Sequence, residues 1–255
     1  MIPASVRLGA YLLGLLSLRG LEAVSADHAP TTPRLSRWVS NLSLGAMNGV
    51  VISLVCTTCF LLTTRGLFPF RFAPLAALEL SPWARLLLEV LILDLLAYLL
   101  HWSYHAVPLL WRFHLVHHSD LDLDVSSASR FHLGEVVVSS VVKLAVVGLL
   151  GISPAGLVLF EVVMVACAQF QHANLRLPSR VDGVLWWTLV PPAMHRIHHT
   201  PVREDTDSNY GTILTFWDRA FRTLRRGDPA PDPSFGVPEL RHPLSLPRLL
   251  ALPFR

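Results

Sequence analysis

Residues Leu42 to Leu62, "LSLGAMNGVVISLVCTTCFLL", form a run of 21 residues without one charged side chain. A run of about 20 apolar residues matches the hydrocarbon thickness of a bilayer when coiled as a helix. In lipid no water is available to the backbone, so a lone crossing segment must close its own hydrogen bonds as a helix. The run therefore predicts an all-α integral membrane bundle, and the other apolar segments are consistent with it. Leu8 to Val24 reads as a weaker first span, retained because no small-residue cleavage site follows it convincingly. Arg85 to about Leu100 is a third span carrying Glu89 and Asp94. Val136 to Ile152 and Ala155 to Phe170, joined at Ser153-Pro154, read as a closely packed helical hairpin. The count is four or five spans. Arginines precede and follow the second span (Arg34, Arg37, Arg65), so charge alone does not orient it.

Composition agrees. The chain is 52% hydrophobic and 15% charged, against roughly a quarter charged in soluble domains. The formal net charge is only +3, which excludes the clustered basic footprint of a nucleic-acid binder. Lys143 is the sole lysine and lies in the fourth span, where an ammonium is costly unless it faces protein or a boundary. Cys56 and Cys59 form a C-x-x-C inside the apolar run, best read as small packing residues, and three cysteines make no disulfide framework.

Three regions follow. Residues 1–84 hold the first membrane helices and a proline-broken surface connection, Gly66 to Ala84. Residues 85–226 form the candidate catalytic domain; after Gln171 it turns polar, aromatic and rich in turn residues, as a water-facing cap would be. Residues 227–255 read as an extended proline-rich tail.

Ten of the 12 histidines fall between His101 and His199. His101 and His105 form H-x-x-x-H; His114, His117 and His118 form H-x-x-H-H; His195, His198 and His199 repeat it; His132 and His172 stand singly. Residues three or four apart share a helix face, so each box can aim two imidazoles at one ion. Adjacent pairs such as His117 and His118 diverge by about 100° on a helix and can serve two neighbouring ions. Ten imidazoles exceed one structural zinc site, and ligand type alone does not name the metal. Asp94, Tyr98, His101 and His105 lie on one helical stripe, which suggests that Asp94 orients a ligand imidazole. His28 and His242 fall outside the constellation, in loops.

The stretches "DLLAYLLHWSYH", "WRFHLVHHSD", "RFHLGE", "QHANLRLP", "MHRIHHT" and "NYGTILTFWDRAFRTL" resemble the fatty-acid hydroxylase/sterol desaturase superfamily of integral-membrane, non-haem di-iron oxygenases. The resemblance covers roughly Asp94 to Leu224, and the closing Asn209-Tyr210-Gly211 and Trp217-Asp218-Arg219 elements are fairly specific to it. The chain departs from the family pattern at Trp102, Leu133 and Arg222, where a basic residue, proline and glycine are frequent.

The resemblance implies two iron ions, with zinc as a purification substitute, bound by His101, His105, His114, His117, His118, His195, His198 and His199. His172 and then His132 follow as further ligands, with Glu135 one turn beyond His132 as a supporting carboxylate. Asp94, Asn174, Asp207 and Asn209 are candidates for holding ligands in place. The implied reaction is hydroxylation or desaturation of a membrane lipid with O2, the metals on the cytosolic side. No haem or iron–sulfur motif is present, so a separate ferredoxin or cytochrome with its reductase is expected to supply electrons. The rival reading is a histidine-rich metal transporter or metal-binding membrane protein. Transporters place ligands near the bilayer midplane and often show inverted repeats, and neither feature is seen here.

Overall fold

The structure is a computed structural model that describes residues 4–64, 73–227 and 234–255. The expected surface connection lies partly outside these residues, as do residues 228–233 near the start of the tail and the side chain of Cys59. The first six helices are α1 (Ala4–Ser25), α2 (Arg34–Thr64), α3 (Pro82–Ala106), α4 (Pro108–His118), α5 (Leu133–Leu150) and α6 (Pro154–His172). Short helices follow: α7 (Ser179–Leu185), α8 (Pro192–His198), α9 (Arg203–Thr206), α10 (Phe216–Ala220) and α11 (Leu246–Ala251).

Among the described residues four helices, α1, α2, α5 and α6, are long and apolar enough to cross a membrane. Helix α3 is also long enough, 25 residues, or about 37 Å at 1.5 Å per residue, but carries Arg85, Glu89 and Asp94. Two of these side chains pair with each other: Arg85 Nε donates to Glu89 at 3.0 Å, and Ser153 N donates to the same carboxylate at 2.9 Å. Helix starts follow local chemistry, with proline in the first turn of α3, α4, α6 and α8, where its missing N–H costs nothing. Ser81 and Ser153 cap α3 and α6 by accepting from Ala84 N and Gly156 N.

The expected tight pairing of the two spans around Ser153-Pro154 is not what forms. Helix α5 packs against α2, and α6 against α3 and α1. Lys143 Nζ donates to Glu161 at 3.1 Å, so the intramembrane ammonium faces protein and ties α5 to α6. Apolar burial gains little between helices that already sit in hydrocarbon, so close approach and polar ties decide the pairing. At Gly14 an added Cβ would lie 2.1 Å from Gln169 Oε1; this closeness lets Gln169 Nε2 donate to Tyr11 O at 3.0 Å and fix α1 on α6.

The tail is not extended throughout. Leu249 is fully buried with Leu44 of α2 and Val116 of α4, and Leu244, Leu246, Leu250 and Leu252 pack on that cluster. Proline density hid a leucine repeat with a helical face.

Candidate metal centre

Helices α3, α4, α6 and α8 deliver their histidines to one end of the bundle. Val107-Pro108 turns the chain sharply between α3 and α4, so the last turn of α3 faces α4. His172 ends α6, and His199 is the C-cap of α8. Nine histidines meet there in two groups. The first contains His101, His105, His114, His118 and His198; the second contains His117, His172, His195 and His199. Within each group the candidate ligand atoms all lie within 4.8 Å of one another. Both adjacent pairs split between groups, His117 from His118 and His198 from His199, as the 100° divergence requires. The groups adjoin, the His118 and His199 rings stacking at 4.4 Å.

In the first group, neighbouring acceptors fix which nitrogen is free. His101 Nδ1–H donates to Tyr210 O at 2.9 Å, His198 Nδ1–H to Ser208 O at 2.7 Å, and His114 Nδ1–H to the Glu135 carboxylate at 2.8 Å. A carbonyl or carboxylate oxygen only accepts, so these rings carry their proton on Nδ1 and present an Nε2 lone pair. The Nε2 atoms of His101, His105, His114, His118 and His198 are buried without protein partners. Five converging orphaned nitrogens, three of them fixed as acceptors, would be costly in a metal-free core, and they suit a bound cation.

The second group fits an ion for a different reason. Nε2 of His172 lies 3.0 Å from Nε2 of both His117 and His195, and Nε2 of His199 lies 3.0 Å from that of His195. His172 Nδ1–H donates to Ala168 O at 2.6 Å, so its Nε2 must accept from both neighbours. The single Nε2 proton of His195 is then committed to His172 and cannot also serve His199. Neutral imidazoles thus cannot satisfy this chain by hydrogen bonds alone. Four lone pairs directed at one shared cation would resolve it, since neutral imidazole nitrogens ligate through their lone pairs.

Burial, then the neighbouring imidazoles, hold His117, His118, His195 and His199 well below the usual histidine pKa. Burial likewise brings His198 down to about 3, against the carbonyl of Ser208. These rings are therefore neutral at physiological pH, the form that ligates.

His132 does not join either group. Its Nδ1 accepts from Gly134 N at 3.0 Å, capping α5, and its Nε2–H donates to Leu250 O at 3.1 Å, fastening the C-terminal segment. With both nitrogens engaged it has no lone pair for an ion. The carboxylate one turn on, Glu135, serves His114 instead.

The four supporting polar residues divide as well. Asp94 does not reach an imidazole: it lies seven residues before His101, about 10 Å along the axis. It accepts instead from Ile213 N, Leu214 N and Trp217 Nε1 at 3.1, 3.3 and 2.8 Å. Asn174 accepts from Asp27 N and His28 N, at 3.0 and 3.1 Å, and so pins the α1–α2 loop rather than the metal centre. Asn209, left-handed at φ 54°, binds Arg225 through both ends of its amide and Met194 O through Nδ2, holding the loop against α8. Only Asp207 faces a candidate ligand, 3.5 Å from His105 Nδ1.

Three further features carry the geometry. Asp218 accepts from Tyr210 N and Gly211 N, both at 2.8 Å, and thereby shapes the loop whose carbonyls hold His101 and His198. A Cβ at Gly211 would lie 2.7 Å from Asp218 Oδ2, so the turn needs glycine. The orienting carbonyls of Ala168, Ser208 and Tyr210 are backbone groups with no residue signature. Just past α4, Asp120 takes Arg37 Nε and Nη2 at 2.7 and 3.0 Å; burial alone would raise its carboxyl, but Arg37 and Arg130 hold it well below the usual range.

A family model described as fatty acid hydroxylase matches residues 86–223. Over 140 residues the chain is 28% identical to the ornithine lipid hydroxylase OlsE of Rhizobium tropici, covering 55% of this chain and 41% of that protein. It is 29% identical over 134 residues to human alkylglycerol monooxygenase, covering 50% of this chain and 27% of the relative. The Danio rerio alkylglycerol monooxygenase matches at 29% over 158 residues, 59% of this chain and 32% of its own. The chain thus spans less than half the length of these relatives. No solved structure matches it significantly.

Proposed function

This chain belongs to the fatty acid hydroxylase family, and from that premise we propose that it hydroxylates a membrane lipid. One C–H bond and O2, with two electrons and two protons, give a C–OH bond and one water. The observation that carries this reading is the pair of buried histidine groups, five and four rings, at one end of a membrane bundle. We assign one iron to each group. Bound iron supplies the oxidising power that an unactivated C–H bond demands and that redox-inert zinc lacks.

The chain's own residues do the rest. Glu135 and the carbonyls of Tyr210, Ser208 and Ala168 hold four imidazoles by Nδ1–H, directing each Nε2 inward, a support worth about 10–100-fold in metal affinity or activity. Phe131, stacked on His117 at 4.4 Å, and Trp111, 5.0 Å from His105, wall the centre against water. The relatives are named for an ornithine lipid and an alkylglycerol, and both names denote oxygen insertion, which favours hydroxylation of a polar-headed lipid over desaturation. Electrons come from a separate ferredoxin or cytochrome system. Eight arginines between residues 173 and 227 load the histidine end of the bundle, which favours the cytosolic side. A metal carrier has less support, since both groups lie at helix ends.

Lipid profiling of cells with and without the protein tests the reading. A lipid gaining one oxygen supports it; loss of two hydrogens shifts it to desaturation. No change in any lipid, from protein loaded with iron and supplied with electrons, overturns it.

A further inference from the structure

The polar segment after α6 does not stay level with the histidines. Two stretches on either side of the α8 histidines, Thr188 to Val190 and Ile213 to Trp217, pair with each other and descend beside α3 and α6. Asp94 holds the second there through Ile213 N, Leu214 N and Trp217 Nε1, about 10 Å below His101 along α3. Ile213 shares an apolar cluster with Leu93 of α3 and Phe160 of α6, and Leu189 and Leu214 pack on it. Leu189 and Leu214 pair as an antiparallel bridge. This part of the cap therefore lies within the thickness of the spans.

Its outer surface is aromatic and apolar. Trp187 is 66% exposed, Val184 64%, Phe216 57% and Phe221 51%. Over the exposed Trp187 ring sit two cations: Arg219 Cζ lies 4.4 Å from its centroid and Arg226 Cζ 5.9 Å from it. Arg219 is held by Thr215 Oγ1 at 2.7 Å and by the Trp186 carbonyl.

We propose that Trp187, Phe216 and Val184 insert at the headgroup–acyl boundary of the leaflet on the histidine side, with Arg219 and Arg226 on lipid phosphates. The partner is a phospholipid surface. Indole and phenyl rings favour that boundary, and an arginine resting on a ring keeps its charge among the headgroups while its stem lies along apolar surface. A protein partner would have to approach below the histidine level, where the flanking faces of α3 and α6 meet lipid. The anchor fixes the loop whose Tyr210 carbonyl holds His101. The proposal rests on the membrane-spanning bundle and not on the reaction proposed above.

Quenching of Trp187 tests it. Full-length protein and its Trp187→Phe variant are placed in phosphatidylcholine nanodiscs with plain or brominated acyl chains; the difference in emission isolates Trp187. Loss of that emission in brominated lipid, with little loss to aqueous iodide, is expected. Phe216→Trp should add emission with the same behaviour, which keeps the test independent of how Trp187→Phe folds. Adding phosphatidylglycerol should shift the Trp187 emission to the blue, and Arg219→Gln/Arg226→Gln should abolish that shift. Quenching by iodide and not by bromolipid at both positions would overturn the anchor and leave a water-facing patch for a protein partner. No response to phosphatidylglycerol would overturn the phosphate contacts.

Discussion

Arg37 offers the sharpest test of what holds the histidine-bearing end together. Its guanidinium is buried, 5% exposed, and grips Asp120 with two donors, Asp124 with a third at 2.9 Å and Asp122 O at 2.7 Å. Arg37→Met leaves two buried carboxylates without their hydrogen-bonding cation, and breaking such a pair costs about 3–5 kcal/mol. Arg130 remains near Asp120, but its donors go to Val116 O, Asn41 Oδ1 and Ser119 Oγ. Its charge softens the loss without replacing a bond, so about 3 kcal/mol is the better expectation. At about 2–4 °C per kcal/mol for a chain of this size, the midpoint in detergent should fall by about 6–12 °C. Arg37→Met/Asp120→Asn removes the stranded charge beside the candidate ligands and should recover part of the fall. Thermal unfolding of the iron-loaded proteins at equal concentration reads both. A single variant within about 2 °C of wild type, or a double no better than the single, would refute the argument that this buried ion pair fastens α2 to the end of α4.

Three more outcomes separate ligands, supports and strain. His118→Ala and His199→Ala each open one group, and bound iron per folded protein should fall below two while turnover is lost; His28→Ala and His242→Ala should retain both, as metal analysis and product assays will show. His132→Ala should keep its iron, yet lose about 1 kcal/mol for the helix cap and about 1 kcal/mol for the bond to Leu250 O; loss of one iron would instead make His132 a ligand. Arg222 is exposed and left-handed at φ 61°, so Arg222→Gly should relieve about 1 kcal/mol of backbone strain and raise the melting temperature; a lower midpoint would show that the Arg222 side chain contributes there.

The spans and the three histidine boxes were legible because their signal is local. A charge-free run is read along the chain, and a four-residue spacing is already a helix face. The same reasoning misled at Asp94. Its stripe with His101 is real, but sharing a face does not shorten the two turns between them, and the partners of its carboxylate lie 119 to 123 residues onward. Asn174 failed similarly, since a residue two positions from a ligand is near it in sequence while its side chain points to a loop 146 residues earlier. His132 was mistaken because imidazole donates, accepts and ligates alike, and the carbonyl that claims it, Leu250 O, lies 118 residues away in the tail.

That tail explains why the site needs more of the chain than its motifs. Val116 sits between His114 and His117 on α4 and is fully buried against Leu44 and Leu249. The terminal turn adds a second clamp, with Phe254 against Phe113 at 6.0 Å and Arg112 Nη2 donating to Arg255 O at 3.0 Å. Helix α4 has only 11 residues, too few to hold its shape alone. Its three histidines keep their directions because the leucines after residue 243 press it from behind while Glu135 holds His114 from the side. The segment whose prolines read as an extended tail is thus one wall of the cradle in which the histidine-bearing α4 lies.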